Sequence, residues 1–257
     1  MTIANKGKAA GSWMRYPVGV GIALGALGGL AVLLPGPWYQ LGWLGLGAAF
    51  TMLEIGGWMG AAAAALGAVM LLVALLMRQR PFVIASAVAL AMGVATAAWP
   101  LYMQHRADAV PPIHDITTDT RDVPAFQALA EEREQAPNAV EYPGEEFAAQ
   151  QREAYPDLES RHYTASLGEV FEAAEAAAAL MQWQVVAADR DAGRIEAVAV
   201  TPWYGFRDDV VVRLRAEDGE VTVDVRSASR IGRSDIGVNA ERIREYLATL
   251  DNQLGGS

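Results

Sequence analysis

Apolar residues dominate the first hundred positions of the chain and fall into three long stretches. These stretches cover residues 16–34, 51–77 and 81–102, and the second is apolar without interruption from Gly57 onward. A helix needs about 20 apolar residues to cross a bilayer, and backbone groups in lipid must be hydrogen-bonded within their own segment. The pattern therefore predicts a transmembrane α-helical anchor of three spans over residues 1–103.

Residues 35–50 leave a second span count open, because they would form a short fourth span if the second stretch were split at Gly56 and Gly57. Basic residues concentrate on the cytoplasmic side of a membrane, which distinguishes the two counts. The basic residues before the first span are Lys6, Lys8 and Arg15. With three spans they share a side with Arg78 and Arg80, and with four they do not. We therefore predict three spans, with residues 35–50 as an outer connection.

The odd number of spans also predicts on which side of the membrane the rest of the chain lies. If the N terminus is cytoplasmic, an odd number of spans places residues after 103 on the other side. In a bacterium this means the inner (cytoplasmic) membrane with a periplasmic C-terminal domain. The aromatic residues at the predicted outer boundary, where amphipathic rings prefer to lie, are Trp38, Tyr39, Trp43, Trp99 and Tyr102.

Small residues at four-residue spacing mark one face of the first span and one face of the third. They are Gly21, Gly25 and Gly29, and then Ala85, Ala89, Gly93 and Ala97. Such faces allow close helix packing, and we favour packing between these spans over a dimer interface. No span has a charged residue at its centre, which argues against a pump or transporter.

The second half of the chain is polar and mixes helical with strand patterns. We predict a linker at residues 104–122 and a soluble domain at residues 123–257. Short helices are predicted at residues 124–134 and 145–155. The pair Ser166 and Glu169 forms a capping box that opens a longer helix, ending near Gln182.

Four strands are predicted after that helix, at residues 184–189, 194–201, 207–216 and 220–227. Asp218 and Gly219 form the strongest short hairpin turn and set the register of the last two strands. That register pairs apolar residues on the buried side, Leu214 with Val223 and Val212 with Val225. On the other side it pairs Arg213 with Asp224, which have opposite charges.

The last helix is predicted to start near Ser234 and Asp235, either of which can serve as N-cap. Its apolar residues recur every three or four positions and form one stripe. The predicted fold of this half is α+β, an antiparallel sheet of about four strands with flanking helices on one face.

Charge separates the two halves and limits the possible partners. The formal net charge is −10, but residues 1–103 have a net charge of +4 and the remainder −14. The acidic half argues against nucleic acid as a partner, because a phosphate-binding face needs clustered basic residues. The chain has no cysteine, which excludes disulfides, thiolate catalysis and cysteine-based metal sites.

Three motifs in order resemble the family catalogued as domain of unknown function 1499. They lie at residues 112–119 (PIHDITTD), 206–213 (FRDDVVVR) and 224–244 (DVRSASRIGRSDIGVNAERIR). The similarity covers about residues 111–250. The resemblance implies a domain found in bacteria, often behind membrane spans, and in plant plastids. It implies no activity, substrate or catalytic residue.

The first motif contains a histidine and two carboxylates, His114, Asp115 and Asp119. These residue types can bind a divalent metal, or can act as a general base with an orienting carboxylate. We favour the alternative in which Asp115 and Asp119 cap turns and His114 packs at the domain surface. We expect no metal and no cofactor.

The third motif combines arginines and serines at a predicted strand-to-helix junction. Its candidate ligand-binding residues are Arg226, Ser227, Ser229, Arg230, Asp235 and Asn239. Arginine forks and a helix N terminus suit an anion or a lipid headgroup. The favoured alternative is that the arginines pair with nearby aspartates, namely Asp208, Asp209, Asp224 and Asp235.

Two hypotheses for function follow, and a third is purely structural. The first is a membrane-tethered, periplasm-facing accessory or binding domain for a protein partner or an anionic or amphiphilic ligand. The second is a hydrolase or metal-dependent enzyme that uses the His114 and Asp115 loop with the loop at residues 227–229. The third is a domain that stabilises a larger membrane complex. The aromatic turn at residues 203–206 either packs at the sheet edge, which we favour, or rests on the membrane.

Overall fold

The computed structural model describes residues 12–255 of the chain. It divides into two compact units, residues 1–105 and 106–257. Lys6 and Lys8, on which part of the predicted orientation depends, lie outside the described residues.

The N-terminal unit is helical. After a short 3₁₀ helix, its helices are α1 (Arg15–Leu33), α2 (Pro35–Gln40), α3 (Leu46–Leu76) and α4 (Arg80–Ala109), the last of which ends in the second unit. Within the described residues, three helical stretches are long and apolar enough to cross a membrane: Ser12–Gln40, Leu46–Leu76 and Arg80–Ala109. The prediction of three apolar helices is confirmed.

The stretch predicted as a connection, residues 35–50, is more helical than expected. It contains α2 and the first residues of α3. Pro35 lies at the start of α2, where its missing N–H costs nothing and its fixed φ favours a helix.

Glycines bring the three long helices into close contact. Gly21 of α1 faces Ala89 of α4, and Gly25 of α1 faces Met92 of α4. A side chain at Gly93 would collide with the backbone of α3. The small-residue faces are therefore used for packing within the anchor, as the sequence favours.

The C-terminal unit is built on an antiparallel sheet of six strands. They are β1 (Asp115–Thr117), β2 (Arg161–Tyr163), β3 (Gln184–Asp189), β4 (Arg194–Val200), β5 (Arg207–Glu217) and β6 (Glu220–Ser229). The order is β1-β6-β5-β4-β3, and β2 also pairs with β6. The sequence predicts about four strands; β1 and β2 were missed because three residues are too few to show alternation. β1 lies inside the segment predicted as a linker.

The predicted register of the β5–β6 hairpin is confirmed. Val212 pairs with Val225, and Arg213 with Asp224. Both turn residues have positive φ, 52° at Asp218 and 85° at Gly219. That geometry is a type I′ turn, whose twist matches the strands it joins.

The helices of this unit are α5 (Ala130–Glu134), α6 (Glu145–Ala154), α7 (Leu167–Leu180) and α8 (Val238–Gly255). The capping box of Ser166 and Glu169 is present at the start of α7. Two helices start later than predicted. The chain before α5 is held by Glu196, whose carboxylate accepts from the backbone N–H groups of Gln127 (2.8 Å) and Leu129 (3.0 Å). Helix α8 starts at Val238, three residues after Asp235.

The two faces of the sheet are covered differently. On one face, α7 and α8 bury the main apolar core, in which Trp183 stacks on Tyr246 with ring centroids 4.8 Å apart. Residues 119–142 cover the other face, and we call them the covering segment. Its apolar contacts are few, mainly Phe126 and Leu129. Charged residues at the sheet complete this second interface and include three residues of the candidate site, Asp115, Arg226 and Arg230.

Candidate functional site

The pairing of β1 with β6 brings the first and third sequence motifs together. Asp115 lies opposite Ala228, and Thr117 opposite Arg226. The N–H of Ser229 donates to the carbonyl of His114 at 2.9 Å. Two segments that are more than a hundred residues apart in sequence are thus paired as neighbouring strands.

The candidate residues nevertheless lie on opposite faces of the sheet. Side chains alternate along a strand, so Asp115 and Arg226 face the covering segment. Ser227 and Ser229 face α8 instead. The candidate residues therefore form two polar clusters, one on each face.

Arg226 and Asp115 form a buried, bidentate ion pair on the first face. The guanidinium Nε is 3.0 Å from Oδ1 and Nη2 is 2.7 Å from Oδ2, and the two side chains are 2 % and 1 % exposed. The remaining donors reach the carbonyls of Pro124 and Val140, and the guanidinium lies over the ring of Phe126. Arg226 therefore makes its hydrogen bonds to groups within the protein.

Arg230 is held by the neighbouring carboxylate of Asp209. Its Nε and Nη2 both donate to Asp209, the latter at 2.8 Å, and Nη2 is also 2.8 Å from Glu132. Burial alone lowers the pKa of Arg230, but the bonds to Asp209 and Glu132 outweigh it and raise the pKa. Asp209 also binds Arg133 of α5 at 2.9 Å, and both of those side chains are fully buried.

Asp119 caps a turn at the start of the covering segment. Its Oδ1 accepts from the backbone N–H groups of Arg121 and Asp122, both at 3.0 Å. Burial acts to raise its pKa, but these bonds and the charges of Arg213 and Arg215 lower it overall. The carboxylate is held ionised by contacts inside the domain.

The cluster on the helix face is centred on Asn239 of α8. Its Nδ2 donates to the carbonyl of His114 and to Ser229 Oγ, both at 3.0 Å. Its Oδ1 accepts from Ser227 Oγ at 2.7 Å and from Arg242. Both serine hydroxyls are thereby bound to Asn239.

Two aspartates complete this cluster. Arg242 pairs with Asp208 at 2.7 Å. Asp235 accepts from the backbone N–H groups of Gly237 (2.9 Å) and Asn239 (2.7 Å) before α8. Burial raises the pKa of Asp235, although these two bonds act to lower it. Asp235 thus occupies the helix-start position that an incoming anion would need.

The imidazole of His114 does not join either cluster. Its Nδ1 is buried without a hydrogen-bond partner, and its ring packs edge-on against Phe147, with centroids 5.4 Å apart. Among residues 12–255, no hydrogen bond links this ring to Ser227 or Ser229, and no group of three or more metal-ligating side chains is found. The described geometry gives no support to a serine–histidine pair or a metal centre.

His114 should make stability depend on pH. Burial lowers the pKa of His114 below its usual value of 6.5, although the charge of Asp115 opposes this. Below pH 6.5 the unfolded chain therefore binds a proton before the folded chain does. Stability should be complete above pH 6.5 and decline as pH falls toward the lowered folded pKa.

This decline can be measured as the urea midpoint of the full chain in lipid nanodiscs between pH 7.5 and 5. His114→Phe should flatten the slope below pH 6.5. His162→Gln, at an exposed histidine, should leave it unchanged. An equal slope in His114→Phe and the parent protein would contradict the assignment.

Sequence reasoning missed several residues that hold the site together. They are Arg133, Glu196 and Arg242, whereas the expected pairing of arginines with Asp208, Asp209 and Asp224 is observed. A signal is present in β5, where apolar residues alternate with Arg213 and Arg215. This pattern normally indicates a solvated face, and only the covering segment makes it a partly buried one.

A comparison with protein-family models matches residues 115–250 to the family described as "Protein of unknown function (DUF1499)". The match covers just over half of the chain and confirms the resemblance carried by the three motifs. Neither a curated protein nor a solved structure matches the chain.

Proposed function

The chain belongs to the DUF1499 family of proteins of unknown function, and from that premise we propose that it is a membrane-tethered accessory protein. Its C-terminal unit acts by binding an anionic or amphiphilic ligand, and catalyses no reaction. One observation carries this proposal: apart from His114, the candidate catalytic side chains are bound to neighbouring side chains. Asp115 is paired with Arg226, and the hydroxyls of Ser227 and Ser229 are bound to Asn239.

The tether supports the same function. Three helices of the described chain are long and apolar enough to span a membrane, so the C-terminal unit stays at a membrane surface. We propose that this surface is the outer, periplasmic face of a bacterial inner membrane. The support comes from the odd number of long helices and from two basic residues, Arg78 between α3 and α4 and Arg80 at the start of α4.

Cysteine labelling tests this orientation, because the chain has no cysteine of its own. Single cysteines are placed at Trp43, between α2 and α3, at Gln79, between α3 and α4, and at Glu220 in the C-terminal unit. A membrane-impermeant maleimide added to intact spheroplasts should label Trp43→Cys and Glu220→Cys and leave Gln79→Cys unlabelled until lysis. Labelling of Gln79→Cys alone in intact spheroplasts would indicate the opposite orientation and contradict this proposal.

Co-purification tests binding as the mode of action. Extraction of the full chain in mild detergent should recover bound phospholipid above the level of a single-span control protein. Recovery of a stoichiometric protein and no lipid would contradict the ligand class and favour a protein partner. Ester hydrolysis that His114→Phe abolishes would contradict the proposal as a whole.

A further inference from the structure

Two loops meet at one end of the sheet, and both carry exposed side chains that lie outside the clusters described above. Residues 201–206 join β4 to β5 and are closed by a hydrogen bond from Thr201 N–H to the Phe206 carbonyl at 2.9 Å. Residues 230–237 join β6 to α8. The N–H of Arg230 donates to the carbonyl of Arg207 at 3.2 Å, so the two loops lie side by side.

This end of the sheet exposes apolar and basic side chains together. Val200, opposite Arg207 in the sheet, is 42 % exposed, and Trp203 is 44 % exposed. Arg207 and Arg233 are also exposed. We call these four residues the tryptophan rim.

The local fold presents Trp203 outward. Tyr204 and Phe206, in the same turn, stack on each other with centroids 5.1 Å apart. Of the aromatic residues in this turn, Tyr204 and Phe206 therefore pack within the domain, as predicted for the turn as a whole. The indole of Trp203 keeps a large exposed surface, which is typical of aromatic residues that contact a membrane interface.

The charge of the rim differs from that of the rest of the unit. Most arginines of the sheet are paired with carboxylates, including Arg230 beside the rim. Within the described residues, no carboxylate lies within ion-pair distance of Arg207 or Arg233. Two exposed guanidinium groups in a half-chain of net charge −14 are available to bind anions in solution.

The attachment point of the unit lies at the same end. Arg106 donates to the carbonyl of Ile236 at 3.2 Å and pairs with Glu241 at 2.7 Å. Arg106 is the first residue of the C-terminal unit, so the chain enters this unit beside the loop that carries Arg233.

We propose that the tryptophan rim docks on the phospholipid surface, with Trp203 at the interface and Arg207 and Arg233 on anionic headgroup phosphates. Guanidinium groups bind phosphate through paired N–H donors, and anionic membranes attract basic residues close to their surface. This inference rests on the proposed function and names its ligand as anionic phospholipid. It assigns the binding to the exposed arginines 207 and 233, outside the buried Arg226 pair.

Fluorescence quenching in nanodiscs tests the docking with the full chain. A fluorophore is attached at Pro202→Cys, beside Trp203, and separately at Glu220→Cys, at the opposite end of the sheet. The nanodiscs contain headgroup-nitroxide lipid in phosphatidylcholine, with or without phosphatidylglycerol. Quenching should be strong at position 202, weak at 220, and should increase at 202 when phosphatidylglycerol is present. Equal quenching at both positions would overturn the proposal.

Matched variants test the role of the two arginines. Arg207→Gln with Arg233→Gln should reduce the docked-to-undocked ratio by about fivefold for each arginine, and the corresponding lysine variants should retain most of the docking. Arg121→Gln with Arg161→Gln removes the same charge elsewhere and should leave the ratio unchanged. Equal losses in both glutamine pairs, or none in the first, would overturn the proposal.

The result is separable from the proposed function. Cysteine labelling of Glu220 in spheroplasts reports the orientation whether or not the rim docks. Unchanged thermal unfolding of the Arg207 and Arg233 variants shows that their loss of quenching does not come from unfolding. A correct orientation without rim quenching would therefore reject only the docking surface.

Discussion

Arg226→Met is expected to destabilise the C-terminal unit by about 3–5 kcal/mol, because it leaves the carboxylate of Asp115 buried without its partner. The same change removes the donors to Pro124 and Val140 and thereby releases the covering segment. Hydrogen exchange of the β1 and β6 amides in the full chain measures the loss. These amides should exchange markedly faster than in the parent protein.

Two variants separate the ion pair from general effects of the substitution. Arg226→Met combined with Asp115→Leu removes both charges and should recover much of the loss, because a buried pair replaced by apolar residues is often neutral. Arg121→Met, at an exposed position, should change stability by no more than about 0.5 kcal/mol. If Arg226→Met kept full stability yet abolished lipid binding, Arg226 would be a ligand-binding residue, as the sequence suggested.

Asp209→Ala is expected to have an effect of similar size, about 3–5 kcal/mol. Asp209 accepts from Arg133 and from Arg230, so its removal leaves the fully buried Arg133 without a carboxylate and brings two positive charges together. Arg230 retains Glu132 and should be less affected. Urea unfolding of the full chain in nanodiscs, with hydrogen exchange in α5, measures the change.

The matched control for this variant is Asp191→Ala, because Asp191 is exposed in the β3–β4 turn. It should leave the urea midpoint near that of the parent protein. Adding Arg133→Met to Asp209→Ala should restore part of the stability. A midpoint for Asp209→Ala equal to that of Asp191→Ala would show that the buried pair contributes nothing measurable.

Both predictions concern an interface in which charged pairs supplement a small apolar core. Phe126 and Leu129 supply most of the apolar contact of the covering segment. Ion pairs and hydrogen bonds from Glu196, Asp209 and Arg226 supply much of the rest. The sequence predicts a helix over residues 124–134, but the structure begins it only at Ala130, because the backbone N–H groups of Gln127 and Leu129 are bound to the distant carboxylate of Glu196.

The sequence is also limited in what it predicts about the candidate site. The sequence identifies the residues of the first and third motifs but leaves open whether they bind a ligand or one another. Asp115 and Arg226 are 111 positions apart, and nothing in the local pattern pairs a three-residue strand with β6. Their role as ligand-binding residues stays a prediction, whereas their contacts with each other are observed.

By itself, the sequence determined the features that depend on near neighbours. The three apolar helices follow from stretch length, the capping box from the spacing of Ser166 and Glu169, and the β5–β6 register from Asp218 and Gly219. Only the tertiary structure decided which face of each strand the charged residues occupy and what covers that face. The physical reason is that a buried charge is stable only beside a specific partner, and those partners come from distant parts of the chain.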